Sequence, residues 1–378
     1  MKLKIYSDRQ FLPEGMPPDP ILYPFWREFI PNQQYSWIKT YDRYIEDSGL
    51  IFEITSLDEA DFAVMPANWR TIRGDNWRCK VNKQAQDLCI KFAKKIEGSG
   101  KSLVVFFSGD CSDEDIPIKN SLMIRQGLYR SHRKQNDCIM PAFIEDLVHY
   151  YLQGQISFRK KTDKPVVGFC GLAKRDSWAR RLKTFLYHGL TFTKSGQFGI
   201  SPYKGEILRT KVLGLFNDSS LVDTNFIVRD NSVFLSGDNQ IQKQNARYEF
   251  VKNMQESDYI INCRGSGNYS HRLIETLCCG RIPIFIDTDC VLPYDSAINW
   301  KNYCIWVEEK EVPFIAEKVL DFHSQLSSQE FIDLQYECRK LWKEWLSPEG
   351  FYKHFYRYLQ QVQDNRNGLI IANKYQYL

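Results

Sequence analysis

The stretch that most restricts the fold is DYIINCRGSGNYSHRLIETLCCGRIPIFID, residues 258–287. It opens on an apolar run, Tyr259 to Cys263, crosses a polar loop with two glycines, and closes on a second apolar run, Ile282 to Ile286. Between the runs Leu273, Ile274, Leu277 and Cys278 recur at helical spacing, and Gly280 stands where a helix would end. Two strands joined through a helix pair side by side in parallel, whereas an antiparallel pair needs only a short turn. The segment therefore reads as a βαβ unit, and the rest of the chain can be tested for more of the same.

The alternation recurs. In the first half KLKIYS (2–7), DFAVMP (61–66), SLVVFFSGD (102–110) and CIMPAF (138–143) are short apolar runs, with a helical pattern, NKQAQDLCIKFAKKIEG (82–98), among them. FRKKTDKPVV (158–167) is basic, contains Pro165 and reads as a linker. Beyond it PVVGFCG (165–171) reads as a strand, KRDSWARRLKTFLYHG (174–189) as an amphipathic helix, NFIVRD (225–230) as a strand, ARYEFVKNMQES (246–257) as a helix, and CIWVEE (304–309) as a last strand. From Val312 onward the pattern is mostly helical. The expectation is an α/β protein with two Rossmann-like domains facing a central cleft. Residues 1–160 form the first domain, 165–346 the second, and 347–378 a helical tail that packs back on the first.

Composition narrows the function classes. With 50 basic and 46 acidic residues the net charge is +4, too balanced for the basic stripe of a nucleic-acid binder. The 11 cysteines include no CxxC pair, which argues against zinc and for free thiols in a reducing compartment. MKLKIYSDRQFLPEGMPP lacks the apolar core of a signal peptide, and no apolar run of about 18 residues occurs, so a cytoplasmic location is expected. The aromatic tail segments WKEWL and FYKHFYRYL (351–359) read first as packing surfaces, with peripheral membrane attachment as the runner-up.

Ligands of open α/β sheets sit beyond the carboxyl ends of the strands. That rule puts Arg264, Gly265, Gly267, Ser270 and Arg272 at the mouth of a site. A helix N-terminus and two guanidiniums there suit an anion, and the glycines let backbone approach it. Glu275 has the wrong charge for phosphate and the right chemistry for ribose hydroxyls. The plainer alternative is a surface Arg272–Glu275 ion pair beside a glycine turn. GSGNYS also partly matches a dinucleotide fingerprint, with Asp287 ending the next strand, so a nicotinamide-dependent oxidoreductase is a competing reading.

YIINCRGSGNYSHRLIETLCCGRIPIFIDTDCVLPYDSAINW, ending at Trp300, resembles the exostosin family of glycosyltransferases (family 47). The shared pattern is an apolar strand, Arg-Gly, small residues, Ser, Arg, a Glu three residues on, Gly, Ile-Pro, and then Leu-Pro and Trp. RYEFVKNMQESDYI, LVVFFSGD with DCIMPAF, and DEADFAVMPANW are similar to further parts of that family. The resemblance implies a GT-B fold whose second domain holds a nucleotide sugar, usually UDP-linked, as donor substrate. It assigns Arg264 and Arg272 to the diphosphate, helped by Ser270 and the amides of the loop at Gly265, and Glu275 to the ribose. It implies inverting transfer with no obligatory metal and no cofactor. Members from animals and plants are mostly Golgi-anchored; this chain looks like a soluble microbial version. The acceptor would be an oligosaccharide or a lipid-linked glycan in surface or secreted polysaccharide synthesis.

Inverting transfer needs a base for the acceptor hydroxyl and positive charge on the leaving diphosphate. Asp110, after a strand and a glycine, is the first candidate base; Asp8 is the alternative and Asp113 a third. Lys174 and Arg175 follow the strand PVVGFCG and are further candidates for the donor phosphates. DTD (287–289) imitates a metal-binding DxD but falls in the wrong place, and no metal site is expected. A non-catalytic glycan-binding relative is the remaining alternative.

Overall fold

The structure is a computed structural model that describes residues 2–26, 49, 51–74, 79–173, 178–179, 182–183, 185–186, 204–229 and 240–366. They fall into two compact units: one within Met1–Glu145, Asp289–Asn299 and Lys343–Leu378, the other within Asp146–Thr288 and Trp300–Trp342.

The first unit holds strands β1 (Leu3–Tyr6), β2 (Phe52–Ile54), β3 (Phe62–Val64), β4 (Ser102–Phe107), β5 (Ser121–Arg125) and β6 (Asp137–Ile139). All pair in parallel, in the order β2-β1-β3-β4-β5-β6. Every residue of β4 is buried, as a central parallel strand covered on both faces requires. The helix Lys83–Ser99 starts on Asn82, whose side chain accepts from the Ala85 amide at 3.1 Å, and stops at Gly100 in the left-handed region. It turns Ala85, Cys89, Phe92 and Ile96 into the core. The strands β2 and β5 escape the sequence reading. β2 has three residues and buries only one, while β5 ends on Arg125, whose buried guanidinium donates to Asp137 at 2.6 Å. The helix Pro348–Arg366 belongs to this unit: Phe351 meets Phe143, Phe355 meets Phe106, Tyr356 meets Phe52, and the Tyr352 hydroxyl donates to the Ile21 carbonyl. Its aromatic face is thus core of the first unit.

The second unit holds β7 (Val166–Leu172), β8 (Asp223–Arg229), β9 (Tyr259–Asn262), β10 (Ile282–Asp287) and β11 (Ile305–Glu308), all parallel, in the order β11-β10-β9-β7-β8. Helices run over Lys204–Asn217, Gln240–Gln255, His271–Cys278, Ile315–Gln325 and Ser328–Leu341. The helix expected over 174–189 lies largely outside the described residues, and Lys204–Asn217 is a helix that the sequence reading passes over. Numbered within its own unit, each sheet reads 2-1-3-4-5, with one strand more in the first. This is the doubly wound order, and its direction reverses between β1 and β3 and between β7 and β9.

The chain changes unit at 145/146 instead of across a linker near 160. Asp146 caps the helix Leu147–Tyr151 and pairs with Arg339, and Arg159 pairs with the fully buried side chain of Asp258, all within the second unit. These charges strap the basic segment down. All eleven cysteines are free thiols, ten of them buried. Among the described residues no helix is long and apolar enough to cross a membrane.

Candidate functional site

In the second unit the crevice falls at the carboxyl ends of β7 and β9, where the strand order reverses. The loop after β9 is held at both ends. The Gly265 amide donates to the Tyr269 carbonyl at 3.0 Å, while Asn268 and Thr288, just past β10, exchange bonds of 2.7 and 3.3 Å. Arg264 is buried and spends its guanidinium on this loop, with Nη2 donating to the Ser266 carbonyl at 2.6 Å and Nε to Gly265 at 3.3 Å. Neither Gly265 nor Gly267 has a positive φ. Ser270 occupies the N-cap of the helix His271–Cys278, and its hydroxyl makes no capping bond.

That helix buries Leu273, Ile274, Leu277 and Cys278 and thereby aims Arg272 at β7. The guanidinium lies 4.3 Å from the Phe169 ring centre and donates through Nη2 to the Cys170 carbonyl at 2.8 Å. A Cβ on Gly171 would stand 2.5 Å from that Nη2, and Gly171 has φ +155°, so glycine clears the space that Arg272 fills. Burial, and then the charge of Arg209, lower the Arg272 pKa to about 10. Arg272 remains a cation at neutral pH, but a desolvated one. The Nε atoms of both Arg272 and Arg209 are buried without a hydrogen-bond partner among the described residues.

Glu275 does not pair with Arg272. It is buried and accepts from Arg247, on the helix Gln240–Gln255, at 2.6 Å. The structure therefore gathers Arg264, Gly265, Ser270, Arg272 and Glu275 at one edge and adds Arg209 and Arg247. Lys174 and Arg175 lie outside the described residues.

In the first unit Asp110 is half-buried in the turn after β4, behind Gly109 at φ +92°. Beside it the carboxyl edge is a closed polar shelf. Asn68 accepts from the Ser108 amide at 3.1 Å and donates to its hydroxyl at 2.7 Å, and Gln126 accepts from the Gly109 amide at 2.7 Å. Asp8 acts as a cap: one oxygen accepts from the Gln10 amide at 3.0 Å, the other from the Tyr6 hydroxyl at 2.9 Å, with Lys95 3.7 Å away. Within the DTD triplet, Asp289 has φ +63° and accepts through Oδ2 from the Ser131 amide and hydroxyl at 3.2 and 2.5 Å, with Arg130 3.9 Å from Oδ1.

The switch point of the second unit thus brings together the guanidiniums of Arg272 and Arg209. Residues 217–321 match the Exostosin GT47 domain, and over this stretch the chain is similar to glycosyltransferases of the exostosin family. It is 28% identical to Exostosin-1 of Drosophila melanogaster over 111 residues, 29% of this chain and 14% of that protein. It is 35% identical over 66 residues to the probable beta-1,4-xylosyltransferase IRX10L of Arabidopsis thaliana, 18% of this chain and 16% of that one. It is 38% identical over 71 residues to probable glucuronosyltransferase 47 A of Physcomitrium patens, 19% of this chain and 16% of that one. The matched stretch is thus a small part of each relative's length. The crystal structure of TarM aligns with a TM-score of 0.30 and 10% identity, over 73% of this chain and 58% of that one. The α/β assignment rests on the strand order of the chain itself.

Proposed function

We propose that the chain is an inverting glycosyltransferase of GT-B type that moves a sugar from a UDP-sugar to a glycan acceptor in surface or secreted polysaccharide synthesis. It acts in the cytoplasm and needs neither cofactor nor metal; the acceptor is an oligosaccharide or a lipid-linked glycan, the latter reached by peripheral association with a membrane. The observation that carries this reading is Arg272: a desolvated guanidinium, without an ion pair among the described residues, in the family-matched stretch and at the switch point.

In the reaction the acceptor hydroxyl oxygen attacks the anomeric carbon from the face opposite the diphosphate. Its proton passes to a carboxylate, with Asp110 ranked above Asp8, one of whose oxygens accepts from the Gln10 amide and the other from the Tyr6 hydroxyl. The bond from the anomeric carbon to the phosphate oxygen breaks, and its electron pair leaves with the UDP. Arg272 offsets the charge that develops there, an effect that mutations at comparable sites put at about a hundred- to a thousandfold in rate. Glu275, oriented by Arg247, accepts from the ribose hydroxyls.

Thermal shift and sugar transfer with UDP-xylose and UDP-glucuronic acid test the assignment. The wild type should be stabilised by its donor. Arg272→Ala should lose both stabilisation and transfer. Asp110→Asn should keep the stabilisation and lose roughly a hundredfold or more in transfer. Stabilisation by a nicotinamide dinucleotide, with no response to any UDP compound, would sink the proposal in favour of an oxidoreductase.

A further inference from the structure

Arg209 lies on the helix Lys204–Asn217, upstream of the family-matched stretch 217–321. It reaches the crevice from the side opposite Arg272. Its Nη1 donates to the Leu172 carbonyl at the end of β7 at 2.6 Å, and its Nη2 to the Arg264 carbonyl just past β9 at 3.3 Å. It therefore spans the two strands between which the sheet order reverses. Arg272 reaches the same strand β7 from the following helix, through the Cys170 carbonyl at 2.8 Å.

The two guanidiniums share three properties. Each is anchored by carbonyl oxygens, which orient it without cancelling its charge. Each has a buried Nε with no acceptor among the described residues. Neither forms an ion pair among those residues, and the buried carboxylate on the Arg272 helix, Glu275, is bound to Arg247. Two neighbouring part-buried cations, each with its Nε out of water and no counter-charge among the described residues, are unfavourable unless an anion joins them. The backbone is fitted to hold them: a Cβ on Gly205 would lie 2.4 Å from the Gly265 carbonyl oxygen and 2.5 Å from that of Arg264. The helix that carries Arg209 thus sits against the β9 loop at a distance that only glycine allows.

We propose that Arg209 and Arg272 form a two-guanidinium seat for a diphosphate, which makes Arg209 a ligand-binding residue outside the recognisable family motif. The inference rests on the nucleotide-sugar reading and sharpens it. Two separated cations match two phosphoryl groups, so the seat selects a nucleoside diphosphate over a monophosphate.

The test is calorimetric titration of the full chain with inorganic diphosphate, UDP and UMP. The wild type should bind diphosphate and should prefer UDP to UMP. Arg209→Gln should weaken diphosphate and UDP by roughly ten- to a hundredfold, the range of a charged hydrogen-bonding group, and should affect UMP less. The UDP-to-UMP ratio narrows accordingly. Arg209→Lys keeps a cation and a donor for Leu172 but loses the fork, and should give a smaller loss of the same kind. It decides the matter if the Gln variant does not fold. Folded variants with the wild-type ratio would reduce Arg209 to a brace between β7 and β9, while leaving the transferase reading in place. A wild type that binds none of the three compounds would overturn both.

Discussion

At the switch point of the first unit, between β1 and β3, the bordering side chains are Asp8 and Asn68. The oxygens of the Asp8 carboxylate and the side-chain amide of Asn68 are both engaged within the protein. At the switch point of the second, between β7 and β9, they are Arg209 and Arg272, whose Nε atoms find no acceptor among the described residues. The two sheets share a strand order, so topology places a crevice in each and says nothing about what enters it. Side-chain bookkeeping makes the distinction. The first edge leaves a neutral group, the buried Ser7 hydroxyl, without a partner among the described residues, whereas the second holds charge that a ligand would complete.

The comparison breaks most sharply at its glycines. Gly171, in the second unit, combines φ +155° with a 2.5 Å approach to Arg272, and Gly100, in the first, combines φ +71° with nothing within 4 Å. Alanine at either position is strained, by about 1–3 kcal/mol for such backbone conformations. At Gly171 the added methyl must also push the guanidinium off the Cys170 carbonyl. Gly171→Ala should therefore lower the melting temperature and weaken UDP as well, whereas Gly100→Ala should lower the melting temperature alone. Equal UDP affinity in the two variants, measured by titration, would show that the seat does not depend on the placement of Arg272.

Much of this architecture was legible in the sequence, and the parts that were not share a cause. Strands β4, β9 and β10 are buried on both faces and read as unbroken apolar runs. β5 is hidden because its last residue is an arginine, whose burial is explained by Asp137 on the neighbouring strand and by the Ser112 and Glu114 carbonyls. At the site, Arg264, Arg272 and Glu275 lie within twelve residues and carry a family pattern. Arg209 stands 55 residues before Arg264, and Arg247 stands 28 before Glu275. Parallel crossovers bring such residues together, and local spacing cannot register them. The same limit explains Glu275: three residues from Arg272 on one helix, it is paired instead with a cation on another.

A smaller contrast separates the units by acid response. In the first unit His354 stacks on Trp345 at 3.5 Å and meets the edge of Tyr294. Burial, and then the charge of Arg357, lower its pKa to about 4. The unfolded chain binds the proton more readily, near pH 6.5, so this group's contribution is complete above that value. It is lost as the pH falls from about 6.5 towards 4. Since His354 is only half-buried, the loss should be on the order of 1 kcal/mol. His354→Gln should flatten the melting temperature over that interval, and an unchanged slope would show that the imidazole accepts its proton in the folded state. Arg272 in the second unit stays charged throughout the same range, and should leave UDP affinity unaffected by its own titration there.

The smallest effect expected is a gain. Gly98 lies in the last turn of the helix Lys83–Ser99, is exposed, has no positive φ, and would meet nothing within 4 Å if it carried a Cβ. Glycine in a helix costs up to about 1 kcal/mol relative to alanine, mostly through the freedom it retains when unfolded, and less near an end. Gly98→Ala should raise stability by about 0.5 kcal/mol in chemical denaturation and leave UDP affinity as it was. If Gly98→Ala instead destabilised the chain or altered UDP binding, glycine tolerance in the first unit would depend on more than φ and clearance. The contrast with Gly171 would then lose its physical basis, since it assumes that a glycine matters where backbone or neighbour demands it and nowhere else.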